Sequence, residues 1–200
     1  DVYKRQDLRG QSTFLLNDYN EWSQKDIFDI SKKNIKYYAK SGNAKINKIT
    51  HTNNKKINLG FVSCDLGKNH SVLYFLKDTV RFIDKSKFRI YIFSLNKKNN
   101  DDASQNELRQ ISDEWFDLED NKNQQIIEII QKNNIDILFD LIGYTNSSRL
   151  EIFNSKVAPI QISWLAYCNT TGFNTVDYLL ADKNLINENE HNLYSEKIIY

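Results

Sequence analysis

The chain has 200 residues, 40% of them hydrophobic, which suffices for one good core with a small appendage. With 27 basic against 26 acidic residues the net charge is +1, so no global field favours nucleic acid or an anionic membrane as a partner. The apolar runs fall well short of the ~20 residues a membrane helix needs, no apolar stretch marks a secretory signal, and Cys64 and Cys168 are isolated, forming neither a metal pair nor a disulfide framework. A reducing, cytoplasmic setting is the expectation.

In chain order, residues 1–6, "DVYKRQ", read as an extraneous leader in a sequence that has no methionine. Residues 7–40 form a helical segment. Ile27, Ile30, Ile35 and Tyr38 keep helical spacing, and Ser23 with Asp26 gives the S-x-x-D pattern of a capped start. Residues 41–56 are polar and lysine-rich and read as a linker, in which His51 is solvated.

Beyond Lys56 strands alternate with helices. Strands are expected at Ile57–Cys64, Phe88–Leu95, Trp115–Leu118, Asp136–Ile142, Ile160–Tyr167 and Tyr178–Ala181. Helices are expected at Val72–Ile83, around Glu107–Ile111, at Gln124–Gln131 and at Ser147–Phe153. Such alternation predicts an α/β fold, a parallel sheet with helices on both faces. The closing "YSEKIIY" breaks off inside a strand-like run, so a fragment is expected.

Ligands of open α/β sheets bind beyond the carboxyl ends of the strands. Three loops fall there: "DLGKNHS" after the first strand, "GYTNSS" after the fourth and "CNTTGF" after the fifth. His70 stands at a helix start, where unpaired N–H groups favour a neutral imidazole, a reasonable proton acceptor near neutral pH. The plainer alternative is that Asn69 or Ser71 caps the helix and His70 only packs; the residues leave both open.

Asp65 and Asp140 are a conceivable acid–base pair, but no spacing makes them neighbours and structural roles are favoured. G-x-G-x-x-G is absent from the first turn, which disfavours a nicotinamide or flavin enzyme, and no H-E-x-x-H, C-x-x-C or G-x-S-x-G occurs. Gly143 and Gly172 mark positive φ or close backbone approach, and Thr170 and Thr171 offer hydroxyls to a sugar or phosphate, or else an ordinary turn.

"LGFVSCDLGKNHSVLYF", "IDILFDLIGYTNSSRLEIFNSKVAPIQISWLAYCNTTGFNTVDYLLAD" and "YSEKIIY" together resemble the catalytic region of the O-linked N-acetylglucosamine transferases and SPINDLY-type proteins, glycosyltransferase family 41. Their order and spacing match over roughly residues 57–200, and "FLLNDYN" with its helix resembles the segment that joins the family's tetratricopeptide repeats to that region. The resemblance implies the first Rossmann-like half of a GT-B enzyme. Such enzymes pass a sugar, usually from UDP-N-acetylglucosamine, to a Ser or Thr hydroxyl with inversion. A nucleotide-sugar donor and an acceptor protein are therefore the implied partners, with no metal cofactor, and fucosyl transfer, asparagine modification or a decayed binding module are the variants.

By the same resemblance, His70 falls on the family's cleft histidine, proposed there as general base. Tyr144 and Thr145 match its G-Y/H-T loop, and Thr170, Thr171 and Gly172 its T-T-G loop; with Asn69 and Gly143 these make the substrate- and acceptor-side loops. The family's L-G-Y-P-G/A is here Leu165, Ala166, Tyr167, Cys168 and Asn169, and loss of a glycine and a proline is expected to loosen the loop. The donor pyrophosphate is expected to be held by a second half.

Overall fold

A computed structural model describes residues 10–19, 21–38, 56–67, 69–96 and 102–200, excepting the side chains of residues 146–148. The leader, the linker over 41–55 and His51 within it lie outside the described residues. Seven strands follow one another: β1 (Ile57–Ser63), β2 (Phe88–Ser94), β3 (Glu114–Asp117), β4 (Ile137–Asp140), β5 (Ile160–Trp164), β6 (Tyr178–Leu180) and β7 (Lys197–Ile199). They form a single sheet in the order β3-β2-β1-β4-β5-β6-β7, every neighbouring pair parallel. Between them and ahead of them lie the helices α1 (Gln24–Asn34), α2 (Ser71–Phe82), α3 (Ala103–Ile111), α4 (Asn123–Lys132) and α5 (Leu150–Asn154).

Strand residues alternate between the faces, and both faces are apolar, as a parallel sheet covered on each side requires. Leu59, Phe61, Ile90 and Ile92 pack on one side with Leu73, Leu76 and Val80 of α2 and Leu108 of α3. Val62, Phe93 and Leu138 pack on the other with Ile126 and Ile130 of α4 and Phe153 of α5. Phe61 and Phe139 stack across β1 and β4 at 4.7 Å, and Trp164 of β5 meets Phe139 edge-on at 6.1 Å, so aromatic contact runs over the three central strands.

The helical segment at the amino end is built into this fold. Ser23 and Asp26 form the reciprocal capping box that starts α1. Tyr38, 2% exposed, belongs to the core of the second face and meets Phe173 edge-on.

Several elements differ in extent or type from the sequence expectation. β5 ends at Trp164 rather than Tyr167, because Leu165 takes φ 68° and turns the chain out of the ladder. In place of a helix from Ser147, a 3-10 turn runs over Gly143–Arg149 before α5 begins at Leu150. Arg149 fastens that turn, donating to the carbonyls of Glu119 (2.8 Å) and Asn121 (2.9 Å). At α3 the side chain of Asp102 accepts from the N–H groups of Ser104 and Gln105, so the helix starts four residues earlier than Glu107.

From β1 the chain builds outward through β2 and β3 on one side, then crosses to lay β4 on the other. The β1/β4 boundary is thus the switch point of the sheet, where diverging loops leave a crevice at the carboxyl edge. All strands being parallel, the loops after β1, β4 and β5 leave from that one edge.

Candidate active site

The loop from β1 to α2 carries Asp65, Asn69 and His70. Residues on both sides of Asp65 are gripped by side-chain amides: Leu66 N–H donates to Asn96 Oδ1 (2.8 Å), Asn96 Nδ2 donates to the Cys64 carbonyl, and Gln105 Nε2 donates to the Leu66 carbonyl (2.8 Å). Asn69 turns the chain with φ 63°, a conformation asparagine tolerates, and its side-chain Oδ1 accepts the Tyr74 hydroxyl at 3.2 Å. That turn delivers His70 as the N-cap of α2. Here the cap is the imidazole itself, Nδ1 accepting the N–H of Val72 at 3.3 Å, in place of the Asn69 or Ser71 cap considered from the sequence. Nε2 lies 3.6 Å from Asp65 Oδ1, and the ring is 46% exposed. His70 both caps and faces the open edge.

Across the switch point, Asp140 pairs with Val62 in the ladder and ends β4. Its Oδ1 accepts the N–H groups of Ile142 (2.9 Å) and Gly143 (3.0 Å), an Asx-type turn that bends the chain into the 3-10 segment. Gly143 then takes φ 53°, and a Cβ there would stand 2.3 Å from Cβ of Tyr167. Asp140 is 1% exposed, and its Oδ2 is buried with no hydrogen-bond partner among the described residues. Burial pushes its carboxyl up to about 6; the two N–H donors pull the other way, and the nearby charge of Glu196 adds to the rise. Of the two aspartates weighed from the sequence, Asp65 thus faces His70, and Asp140 turns inward to shape a loop.

Tyr144 points into the protein, fully buried, and donates its hydroxyl to the Thr171 carbonyl at 2.9 Å; burial pushes the phenol well above its ordinary value. Thr145 is exposed at the edge, and its hydroxyl donates to the Ile142 carbonyl (2.6 Å).

Thr170 and Thr171, read from the sequence as hydroxyls for a sugar or phosphate, are wholly buried. Thr170 Oγ1 donates to Glu196 Oε2 (2.8 Å) and accepts N–H groups from Gly172 and Ser195 at 3.1 Å. Thr171 donates its hydroxyl and its N–H to Glu196 Oε1. Both hydroxyls are therefore occupied within the chain. Burial pushes the Glu196 carboxyl up while the bonds from Thr171 and Thr170 draw it down. Glu196 was not singled out by sequence reasoning, and a lone glutamate ahead of a short strand offers no local signal that it will be buried.

Gly172 also has a structural reason. At φ 78° a Cβ would stand 2.8 Å from the Ser31 carbonyl carbon, so the bare backbone lets α1 lie against this loop. The expected loosening at Cys168 and Asn169 is not found. Asn169 exchanges two hydrogen bonds with Gln24 of α1 (2.6 and 2.9 Å), donates to Asn17 Oδ1 (3.0 Å) and accepts the N–H of Thr170 (2.7 Å). Amide pairing with the amino-terminal segment holds the loop in place of proline stiffness. Cys168 beside it is exposed.

The edge thus assembles His70, Asp65, Asn69 and Thr145 at the surface, over a buried layer of Asp140, Tyr144, Thr170, Thr171 and Glu196 that sets the loops. A cavity of about 320 Å³ opens beyond β5 and β6, lined by Trp164, Leu165, Cys168, Leu180 and Asp182. Among the described residues no group of three or more His, Cys, Asp or Glu is placed to hold a metal ion, and no helix is long and apolar enough to cross a membrane.

The sequence model described as Glycosyl transferase family 41 matches residues 30–200. A Caenorhabditis elegans UDP-N-acetylglucosamine–peptide N-acetylglucosaminyltransferase is 30% identical over 149 residues, 74% of this chain and 13% of the relative. An Arabidopsis thaliana protein described as the probable UDP-N-acetylglucosamine–peptide N-acetylglucosaminyltransferase SEC is 29% identical over 146 residues, 73% of this chain and 15% of the relative. Among solved structures, a mutant O-GlcNAc transferase of Thermobaculum terrenum superposes with a TM-score of 0.87 at 26% identity, over 97% of this chain and 37% of that one. The chain spans about a seventh of the length of these two curated relatives.

Proposed function

The chain belongs to glycosyltransferase family 41, and from that premise we propose that it supplies one wall of the catalytic cleft of a protein O-glycosyltransferase. In this reading N-acetylglucosamine passes from UDP-N-acetylglucosamine to a Ser or Thr hydroxyl of an acceptor protein, with inversion. The observation that supports it most is the backbone correspondence with an O-GlcNAc transferase over 97% of the chain, at a TM-score of 0.87. Inversion requires the hydroxyl to reach the anomeric carbon from the side opposite the departing diphosphate, so the enzyme's part is to orient and to receive a proton.

His70 and Asp65 stand at the switch-point edge, where such a site forms in an open α/β sheet. The proposal places His70 at the reacting centre and Asn69 and Thr145 on its rim. Gly143, Tyr144, Thr170, Thr171 and Gly172 serve the site by holding its loops. Contacts to the donor pyrophosphate come from outside these 200 residues, so the chain alone binds donor weakly and transfers nothing. The well-tied loop at Asn169 favours a working enzyme over a decayed binding module.

The test is transfer of labelled N-acetylglucosamine from its UDP donor to a Ser-containing peptide by the protein that carries this chain. Substitution His70→Ala is expected to lower kcat by ~10²–10⁴-fold. Turnover at the wild-type rate in that variant, or transfer by residues 1–200 alone, overturns the assignment.

A further inference from the structure

Hydrogen bonding around His70 decides which group at this edge can take a proton. A neutral imidazole has one N–H and one lone pair. Nδ1 of His70 receives the backbone N–H of Val72, so the lone pair is on Nδ1 and the proton on Nε2. That N–H faces Asp65, with Nε2 3.6 Å from Oδ1. To accept a proton at Nε2, the ring has to adopt the opposite tautomer, setting an Nδ1–H against the N–H of Val72 and leaving the first turn of α2 uncapped.

From this geometry we infer that Asp65 is the proton acceptor of the site and that His70, whose Nε2 stands 3.6 Å from its carboxylate, is a donor that a small approach brings within hydrogen-bond reach. The inference rests on the glycosyl-transfer reading above. Asp65 is built for the task. Its own N–H is held by Ser63 Oγ (3.0 Å), and Asn96 and Gln105 clamp Cys64 and Leu66 on either side, so the backbone that carries the carboxylate is fixed by groups from β1, the end of β2 and α3. Its side chain is 22% exposed, shielded yet open to a substrate. Asp140, the other aspartate at a strand end, is 1% exposed and holds the N–H groups of Ile142 and Gly143 through Oδ1, so it is closed off from a substrate.

In the step, the acceptor oxygen forms its bond to the anomeric carbon as the bond from that carbon to the diphosphate oxygen breaks, and the electron pair leaves with UDP. The hydroxyl proton passes to a carboxylate oxygen of Asp65, and His70 keeps both its proton and its cap. Asp65 then releases the proton to water.

Two measurements test this. Nitrogen-15 NMR of the His70 ring, assigned by comparison with H70N, is expected to show Nε2 protonated and Nδ1 bare. In the protein carrying this chain, D65N is expected to lower kcat by ~10²-fold or more with KM for the acceptor little changed, and D65E to recover part of the loss. H70N, whose side-chain carbonyl can keep the cap, is expected to lose less than H70A. A protonated Nδ1 in neutral His70 overturns the inference, as does D65N turnover within about threefold of wild type. A wild-type protein that transfers no sugar defeats the functional reading and the proton transfer with it, and the ring signals then still report whether the donor assignment of His70 is right.

Discussion

At the scale of single residues, the candidate site is shaped by groups buried beneath its surface. Asp140 keeps its proton up to about pH 6 in the folded chain, whereas an unfolded aspartic acid releases it near 4. Across that interval the folded chain holds more protons than the unfolded one, so this residue makes stability fall as pH rises from about 4 to about 6, by roughly 3 kcal/mol at most. Asp140→Asn keeps an oxygen for the N–H groups of Ile142 and Gly143 and removes the titration. Urea midpoints at the two ends of the interval are expected to differ less in the variant than in the wild type; equal differences would assign the effect elsewhere. Gly143→Ala meets both a left-handed backbone and the Tyr167 side chain, and is expected to cost about 2–4 kcal/mol, read from the same midpoints.

At the scale of elements, the amino-terminal helix and the loop after β5 stabilise each other. Asn169→Ala removes the amide exchange with Gln24 and the bond to Asn17, and is expected to cost about 1–3 kcal/mol and to speed amide hydrogen exchange in α1 more than in β1. Gln24→Ala in the same background should then add little, since the partners share one interaction. The limits of sequence reading appear in this same contact. Apolar periodicity and the Ser23–Asp26 cap marked α1, and the strand-end loops were marked by alternation alone, because those signals are local. That Thr170 and Thr171 face Glu196, or that Asn169 meets Gln24, depends on residues 26, 25 and 145 positions away, and no local pattern carries such a pairing. His70 is intermediate: its place at the helix start was legible, but its use as the cap depends on ring orientation.

At the scale of the molecule, the sheet order follows from burial on both faces and places the three loops on one edge. The alternation of apolar segments announced the parallel α/β class; the order β3-β2-β1-β4-β5-β6-β7 was beyond it, since similar apolar strands can exchange neighbours without altering the pattern. Tyr38 packs in the core of the second face, and Ile35 lies against it. A chain beginning at Lys56 is therefore expected to unfold at lower urea, and to bind a dye specific for exposed apolar surface, where the 200-residue chain does not. Equal midpoints would show that the segment is a passive cover.

The pairing of Gln24 with Asn169 also has a consequence in time. The two residues are 145 positions apart, and a ribosome adding 5–20 residues per second takes roughly 7 to 30 s to travel between them. Through that interval the nascent helix has no docking loop, and its apolar side is left to water or to a chaperone. Helix α1 therefore waits, once made, for a loop that follows five strands of the sheet, and docks only after β5 has emerged.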